Sequence, residues 1–347
     1  MREILGDIER WRSAGEPIAL ATVVQTWGSA PRQPGAKMAL SGSGKIAGSV
    51  SGGCVEGAVA EAAKKTLATG QPGLLSFGVS DESAWSVGLA CGGNVQVFVE
   101  PLTDEIYEPV REAAAGRRAI AIATVVSGSE GLIGRKLWLR DDGATGGSLP
   151  EPAAVHVREA LASGASRRAV IAGSEIFLDV LMPPPRLVVV GGVHIAIPLI
   201  ALAKTLGFET ILVDPREAFA NPARFPHADR IVSQWPDAAL AEIRPDASTA
   251  VAVLAHDPKL DDPALMTALR GSAFYVGALG SSRTQEKRRA RLREAGLPEE
   301  ALARLYAPIG LDLGGRSPEE IALSVLAQIV AARNPRRSGV KRESRDG

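Results

Sequence analysis

Apolar and polar positions change rhythm once along this chain, at a run of three prolines. Before it, Ile4–Ser13 reads as a helix and Ile18–Thr26 as a strand. A Gly/Pro loop follows, then short strands at Lys37–Leu40 and Lys45–Ala47 and a helix over Cys54–Ala68. Strands dominate from there. Asn94–Glu100 alternates with period two, Ala119–Ser127 is an apolar run of the fully buried type, and Arg135–Arg140 and Ile176–Leu181 add two more. This order predicts an α+β domain with a mixed sheet.

Pro183, Pro184 and Pro185 cannot donate to a ladder or continue a helix, so the domain junction is placed there, with a first domain over 1–182 and a second over 186–333. After the prolines, strand and helix alternate. Leu187–Val190 leads to Ile195–Leu206, then Thr210–Val213; Arg230–Val232 leads to Ala238–Ile243. Ala250–Ala255 leads to Pro263–Arg270, Phe274–Ala278 to Arg283–Ala295, and Pro318–Ala332 closes the series. Repeated βα units imply a parallel sheet with helices on both faces, since parallel neighbours need right-handed crossovers. The fold class is therefore α/β, an N-terminal α+β domain followed by a Rossmann-like doubly wound domain. Residues 334–347 lack apolar periodicity and read as a solvated, disordered basic tail.

The 347 residues suit two cores, and a composition 46% hydrophobic and 22% charged is globular. Lys plus Arg equals Asp plus Glu at 39 each, so no global field favours nucleic acid or an anionic membrane. Charges throughout Met1–Arg12 leave no apolar core for a signal peptide, and no apolar stretch reaches the ~18 residues of a membrane span. A cytoplasmic location is expected. The two cysteines, Cys54 and Cys91, are too few for a disulfide framework or, alone, for a tetrahedral zinc site.

Candidate chemistry in the second domain gathers at carboxyl strand ends, where doubly wound sheets bind ligands. Gly191-Gly192-Val193-His194-Ile195-Ala196 takes the place of a G-x-G-x-x-G/A fingerprint, with Val193 where the middle glycine would admit a pyrophosphate. Such a turn serves either an anion at the helix start or only a tight strand-to-helix connection. Asp214-Pro215-Arg216 follows the second strand, at the place of a ribose-binding carboxylate. Arg216 beside it suits a phosphate, or a local Asp/Arg pair capping a turn. His256-Asp257 follows the fourth strand, and Gly277, Gly280, Ser281 and Arg283 follow the fifth. His194, Asp214, Arg216, His256, Asp257 and Arg283 are expected to converge on one crevice. The Gly310–Glu320 loop could add Asp312 and Arg316; Ser317, Pro318 and Glu320 mark its helix start. The basic run Arg283–Arg293 reads as a solvated helical face.

In the first domain, Ser51-Gly52-Gly53-Cys54-Val55-Glu56-Gly57 sets a cysteine at a helix start, where backbone N–H groups lower a thiol pKa. Cys91 lies in a second glycine turn, Gly88–Asn94. Each cysteine serves either as a metal or sulfur ligand or as a small buried filler. Arg32 and Lys37 are loop charges that face an anion or solvent, and His156 and His227 are structural.

Taken together, these segments resemble the XdhC/CoxI family of xanthine and carbon monoxide dehydrogenase maturation factors. G-S-A-P-R-Q-P-G-A-K-M, S-G-G-C-V-E-G and A-C-G-G-N resemble its amino-terminal domain. D-P-R, H-D-P-K-L-D-D-P, F-Y-V-G-A-L-G-S-S-R-T and A-P-I-G-L-D-L-G-G-R-S-P-E-E-I-A resemble its Rossmann-like domain. The likeness runs over residues 18–333, and Val193 departs from a family turn closer to G-A-G-H. It implies a chaperone that binds the molybdenum cofactor as cargo, with a nucleotide form allowed. It also implies protection of the cofactor while an oxo ligand is exchanged for sulfur, and insertion into an apo molybdenum hydroxylase. A cysteine desulfurase is then an expected partner, and homodimerisation the default assembly. On this likeness Cys54 and Cys91 are the metal-side candidates. Gly52, Gly53, Glu56, Gly191, Gly192, His194, Asp214, Arg216, His256, Asp257, Gly277, Gly280, Ser281, Arg283, Asp312 and Arg316 are the cofactor-binding candidates.

Two other readings stay open. An NAD(P)-dependent oxidoreductase is favoured by Asp214 and opposed by Val193, and a docking factor without cofactor would use the Arg283–Arg293 face. No paired carboxylates or Ser/His/Asp order sets a nucleophile against a base, so turnover is not expected.

Overall fold

A computed structural model describes residues 1–28, 32–53, 55–78, 94–129, 131–149 and 151–334. Contacts divide the chain into two units, Met1–Pro183 and Pro184–Gly347.

The first unit is the same seven-element sequence used twice. Its first half runs α1 (Arg2–Ser13), β1 (Ile18–Trp27), β2 (Lys37–Ser41), β3 (Ile46–Gly48), α2 (Glu56–Thr69), β4 (Gly73–Phe77), β5 (Asn94–Pro101). Its second half runs α3 (Asp104–Ala115), β6 (Ile120–Ser127), β7 (Lys136–Arg140), β8 (Thr145–Gly147), α4 (Glu151–Ser163), β9 (Arg167–Ile171), β10 (Ser174–Leu181). The sheets have orders β3-β2-β1-β5-β4 and β8-β7-β6-β10-β9, which are the same order. Their registers also coincide: Thr22 faces Lys37 as Thr124 faces Lys136, and Leu20 faces Glu100 as Ile122 faces Asp179. The central strands show the repeat in sequence, Ile18-Ala-Leu-Ala-Thr-Val-Val24 against Ile120-Ala-Ile-Ala-Thr-Val-Val126.

The α+β class holds, but the expected mixed sheet is replaced by two sheets in which every pairing is antiparallel. Alternation identifies a strand without naming its neighbour, and hairpin-type connections such as the one between β9 and β10 permit antiparallel pairing only. α3 and α4 lie outside the elements that the apolar pattern predicts.

Each sheet buries one face under its own helix, α2 on Val23, Met38 and Val97, and α4 on Ala123, Ile176 and Leu178. The other faces meet around Val24, Phe98, Val126 and Phe177, two pairs of equivalent residues. Beside them lies a polar centre. Lys37 bonds Thr22 of its own repeat at 3.2 Å and Asp179 of the other at 2.6 Å. Lys136 bonds Thr124 of its own repeat at 2.9 Å and Glu100 of the other at 2.7 Å. All six side chains are buried and line a cavity of about 20 Å³, space for a single water. Lys37 is therefore a core residue of β2, not a loop charge facing an anion.

The second unit has β11 (Arg186–Val190), α5 (Ala196–Thr205), β12 (Glu209–Val213), β13 (Arg230–Val232), α6 (Pro236–Ile243) and β14 (Thr249–Val253). It continues with α7 (Pro258–Arg270), β15 (Tyr275–Ala278), α8 (Ser282–Glu294), α9 (Glu299–Ala303), β16 (Leu305–Tyr306) and α10 (Pro318–Arg333). All its strand pairs are parallel, in the order β13-β12-β11-β14-β15-β16. This is the Rossmann order, with the switch point between β11 and β14. The apolar runs are continuous because both faces are covered. Val188, Val190, Val251 and Val253 enter one core layer, while Leu187, Val189, Ala250 and Ala252 enter the other. Among the described residues, no helix is long and apolar enough to cross a membrane.

Candidate functional site

An open crevice of about 630 Å³ lies at the carboxyl ends of β14, β15 and β16. One wall is the turn Leu279-Gly280-Ser281, the other the Pro308–Arg316 loop, and His256 stands at the end of β14. Of the residues singled out in the sequence, His256, Gly280, Ser281, Asp312 and Arg316 line it together.

Both walls are held from behind. Gln285 donates to the carbonyls of Ala278 at 3.1 Å and Gly280 at 3.3 Å, and Arg288 donates to that of Leu279 at 3.1 Å. Arg288 is itself buried and paired with buried Asp261 at 2.7 Å. Burial, the largest influence, pushes the Asp261 carboxyl up to about 6 although Arg288 opposes it. Gln328 bonds both backbone groups of Gly310 and the Tyr275 hydroxyl, and the Ser324 hydroxyl donates to the Leu311 carbonyl. The solvated face expected over Arg283–Arg293 is thus corrected. Arg288 is a core residue, Arg289 donates to the Leu302 and Leu305 carbonyls, and Arg291 grips Asp262 with two bonds. Helical spacing places these charges on the helix, but most of their acceptors, Asp261, Asp262 and the Leu302 and Leu305 carbonyls among them, come from other segments.

Ser281 caps α8 by accepting from the Thr284 amide, and its carbonyl accepts the Gln285 amide, so the helix-start amides left to meet an anion are those of Ser282 and Arg283. Across the crevice the Glu320 carboxylate takes the amides of Arg316 and Ser317 in a capping box. That pair of bonds holds its pKa below the usual carboxylate range and leaves the Arg316 side chain exposed. Leu279, Ile309 and Leu311 supply apolar surface. The chemistry on offer is a planar or apolar body held against leucine and isoleucine, with a phosphate-sized anion near Ser281 and Arg316. His256 adopts a left-handed backbone (φ 59°), an uncommon conformation for a residue with a side chain. Asp257 is occupied as the cap of α7, accepting the Lys259 amide at 2.9 Å. Gly277 packs against Ile309 beneath the wall, and Arg283 is exposed on α8 outside the crevice lining.

The other expected residues gather elsewhere. Asp214, fully buried at the end of β12, accepts from the Gly192 amide at 2.8 Å and the Arg216 amide at 2.9 Å. It also accepts from the Arg216 guanidinium at 2.9 and 2.8 Å. Burial acts most strongly to raise its pKa, but the Arg216 and backbone hydrogen bonds outweigh it and hold the carboxyl below its ordinary value. A Cβ on Gly191 would lie 2.6 Å from the Ala255 nitrogen, and one on Gly192 2.4 Å from the Phe219 oxygen. These glycines admit the protein's own backbone. Arg216 stacks on the Phe219 ring at 4.1 Å, and His194 is exposed on the turn, outside the crevice lining. The expected single convergence is therefore two clusters.

In the first unit the Glu56 carboxylate collects the loop ahead of α2. It accepts the amides of Val50, Ser51, Gly52 and Gly53 at 2.9–3.2 Å, and the hydroxyls of Ser49 and Ser51. Burial is the strongest single influence and acts upward, but these donors together bring Glu56 down to about 2. Gly52, Gly53 and Glu56 thus shape the loop, with the amides of both glycines already spent. Arg32 adds a bond to the Ser49 carbonyl at 3.2 Å. Cys54 and Cys91 lie outside the described residues. Among the described residues, no group of three His, Cys, Asp or Glu side chains could hold a metal.

Residues 187–329 match the XdhC Rossmann domain family, and residues 11–78 match the XdhC and CoxI family. The chain is 29% identical over 323 residues to a probable xanthine dehydrogenase subunit of Bacillus subtilis, covering 92% of this chain and 94% of that one. It is 28% identical over 321 residues to the molybdenum cofactor insertion chaperone PaoD of Escherichia coli, covering 92% and 85%. A crystal structure described as a xanthine dehydrogenase from Bacillus halodurans shares the fold, with a TM-score of 0.78 at 24% identity over 97% of this chain and 98% of that one.

Proposed function

Because the chain belongs to the XdhC and CoxI family, we propose that it is a maturation chaperone that binds the molybdenum cofactor as cargo and hands it to an apo molybdenum hydroxylase. The observation that carries this reading is the crevice at β14–β16, where an anion-accepting helix start and Arg316 face each other across apolar walls. A phosphorylated pterin has these two parts, a flat ring system and a phosphate. Ser281, the first amides of α8 and Arg316 receive the phosphate, while Leu279, Ile309 and Leu311 receive the ring. His256 and Asp312 border the same space.

The same proposal extends to the cargo's metal end and to its partners. Cys54 and Cys91 supply soft sulfur ligands suited to molybdenum, and Glu56 holds the loop that leads into Cys54. The cargo is shielded while a cysteine desulfurase supplies the sulfur that replaces an oxo ligand. The client is a hydroxylase of the xanthine or carbon monoxide dehydrogenase type, and the working form is a homodimer. No turnover of the chain's own is part of this reading.

The test is molybdenum and pterin content per chain after expression in a host that makes the cofactor. Near-stoichiometric cargo in the parent chain, falling several-fold in Arg316→Ala and Cys54→Ser, supports the carrier. A chain that binds its hydroxylase without cargo, unaffected by Arg316→Ala, would be a docking factor instead.

A further inference from the structure

The turn after β11 and the carboxylate after β12 are the two places where a Rossmann fold takes hold of a dinucleotide, the first at the pyrophosphate and the second at the ribose. Here both are engaged by one segment of this chain. Asp214 spends its two oxygens on four donors, the amides of Gly192 and Arg216 and the Nε and Nη2 groups along one edge of the Arg216 guanidinium, and is 0% exposed. A carboxylate with two donors on each oxygen has no acceptor position left for a sugar hydroxyl. The Phe219 carbonyl lies against Gly192, and that same oxygen accepts from Arg224 at 2.7 Å. The segment is held at both ends: Arg216 is bound to Asp214 and stacked on Phe219, and Phe225 is buried in the core layer that also contains Leu187 and Val189. Val193, where the second fingerprint glycine would stand, packs against the core layer under α5. The crevice at β14–β16, by contrast, is lined by none of Gly192, Asp214, Arg216 or Phe219.

We propose that the segment Arg216–Phe225 is a specificity element that closes the ribose side of the switch point, so that ligands of the second unit are held from the β14–β16 side alone. A nucleotide appended to the bound phosphate then makes no use of Asp214, and NAD-type dinucleotides gain nothing over a mononucleotide. Only the identity of the natural ligand rests on the carrier reading.

The experiment titrates the full chain with AMP, ADP-ribose and NAD⁺ by calorimetry, and repeats each titration under hydrogen–deuterium exchange. The expected result is that NAD⁺ and ADP-ribose bind within about threefold of AMP, or that none binds at millimolar concentration. Any protection should be confined to peptides over 277–284 and 308–317. NAD⁺ binding tenfold or more tighter than AMP, with protection over 212–225, would overturn the proposal. The exchange readout needs no variant, so a misfolded mutant cannot mimic either result. If the dinucleotides behave as expected while the purified chain carries no molybdenum cofactor, the carrier reading fails and the closed ribose side stands. If the protein is loaded with cofactor and NAD⁺ protects 212–225, the carrier reading stands and the closed ribose side fails.

Discussion

Lys37 forms its ion pair with Asp179, a residue of the other repeat, at 2.6 Å in the interior of the first unit. Lys136 returns the arrangement through Glu100. Breaking one partner of a buried pair leaves the other charge without compensation, typically at a cost of about 3–5 kcal/mol. Lys37→Met alone should therefore lower the urea midpoint of the chain sharply. Adding Asp179→Leu should recover most of the loss, because an apolar pair of similar volume needs no compensating charge. A single variant as stable as the parent would contradict a structural role for the pair.

The exchange of partners also predicts how the unit comes apart. A chain divided between Leu102 and Thr103 should give two pieces that assemble when co-expressed. Either piece made alone should lack a cooperative thermal transition, since each would expose Phe98 or Phe177 and an unpaired lysine. Size-exclusion chromatography of the co-expressed and single pieces decides it.

Asp261 gives a pH signature of known sign. Its folded pKa of about 6 lies above the value of an unfolded aspartate. The folded state therefore holds more protons between about pH 4 and pH 6, and the contribution of Asp261 to stability falls as pH rises through that window. Asp261→Asn should remove the dependence. The stability difference between parent and variant should shift by on the order of 2 kcal/mol between pH 4 and pH 6.5 in urea titrations.

Glu56 has the opposite sign. With a folded pKa of about 2, its stabilisation is present above the unfolded glutamate value and is lost as pH falls toward 2. Glu56→Gln should track the parent's stability most closely at acid pH and depart from it near neutrality. The same variant should loosen the loop over 49–53, which proteolysis at limiting protease reads directly.

Retention of cargo separates the two clusters of the second unit. Arg316→Ala should reduce bound pterin about fivefold or more, a loss typical of one charge-assisted contact. His194→Ala should leave it unchanged, because His194 lies outside the crevice lining. Pterin fluorescence of the purified proteins, with circular dichroism to confirm folding, provides the comparison.

The second unit is largely legible in the sequence because a parallel sheet buried on both faces writes its strands as unbroken apolar runs. Leu187–Val190 and Ala250–Val253 stand out for this reason. The first unit is harder. α3 carries Pro109 within it, and α4 follows directly on a loop rich in glycine, so the pattern hides the helices that mark the start and middle of the second repeat. The near-identity of Ile18–Val24 and Ile120–Val126 is the signal in the sequence that points to duplication. At the site, the motifs locate the strand ends correctly, and the local Asp214–Arg216 pair is one of two readings the tripeptide allows. Spacing cannot show that Gly192 meets Phe219, or that Arg288 turns inward to Asp261, because both contacts join residues 27 apart.

The duplicated frame is not matched by duplicated loops. Where the second repeat passes from Gly147 to Glu151 and from Ile171 to Ser174, the first passes from Gly48 to Glu56 and from Phe77 to Asn94, and each of these longer connections contains one of the two cysteines. Symmetry thus governs how the unit is held together and stops short of its chemistry. One copy keeps both connections short while the other carries long glycine-rich ones, so on the carrier reading each chain would offer its two thiols to one cargo only.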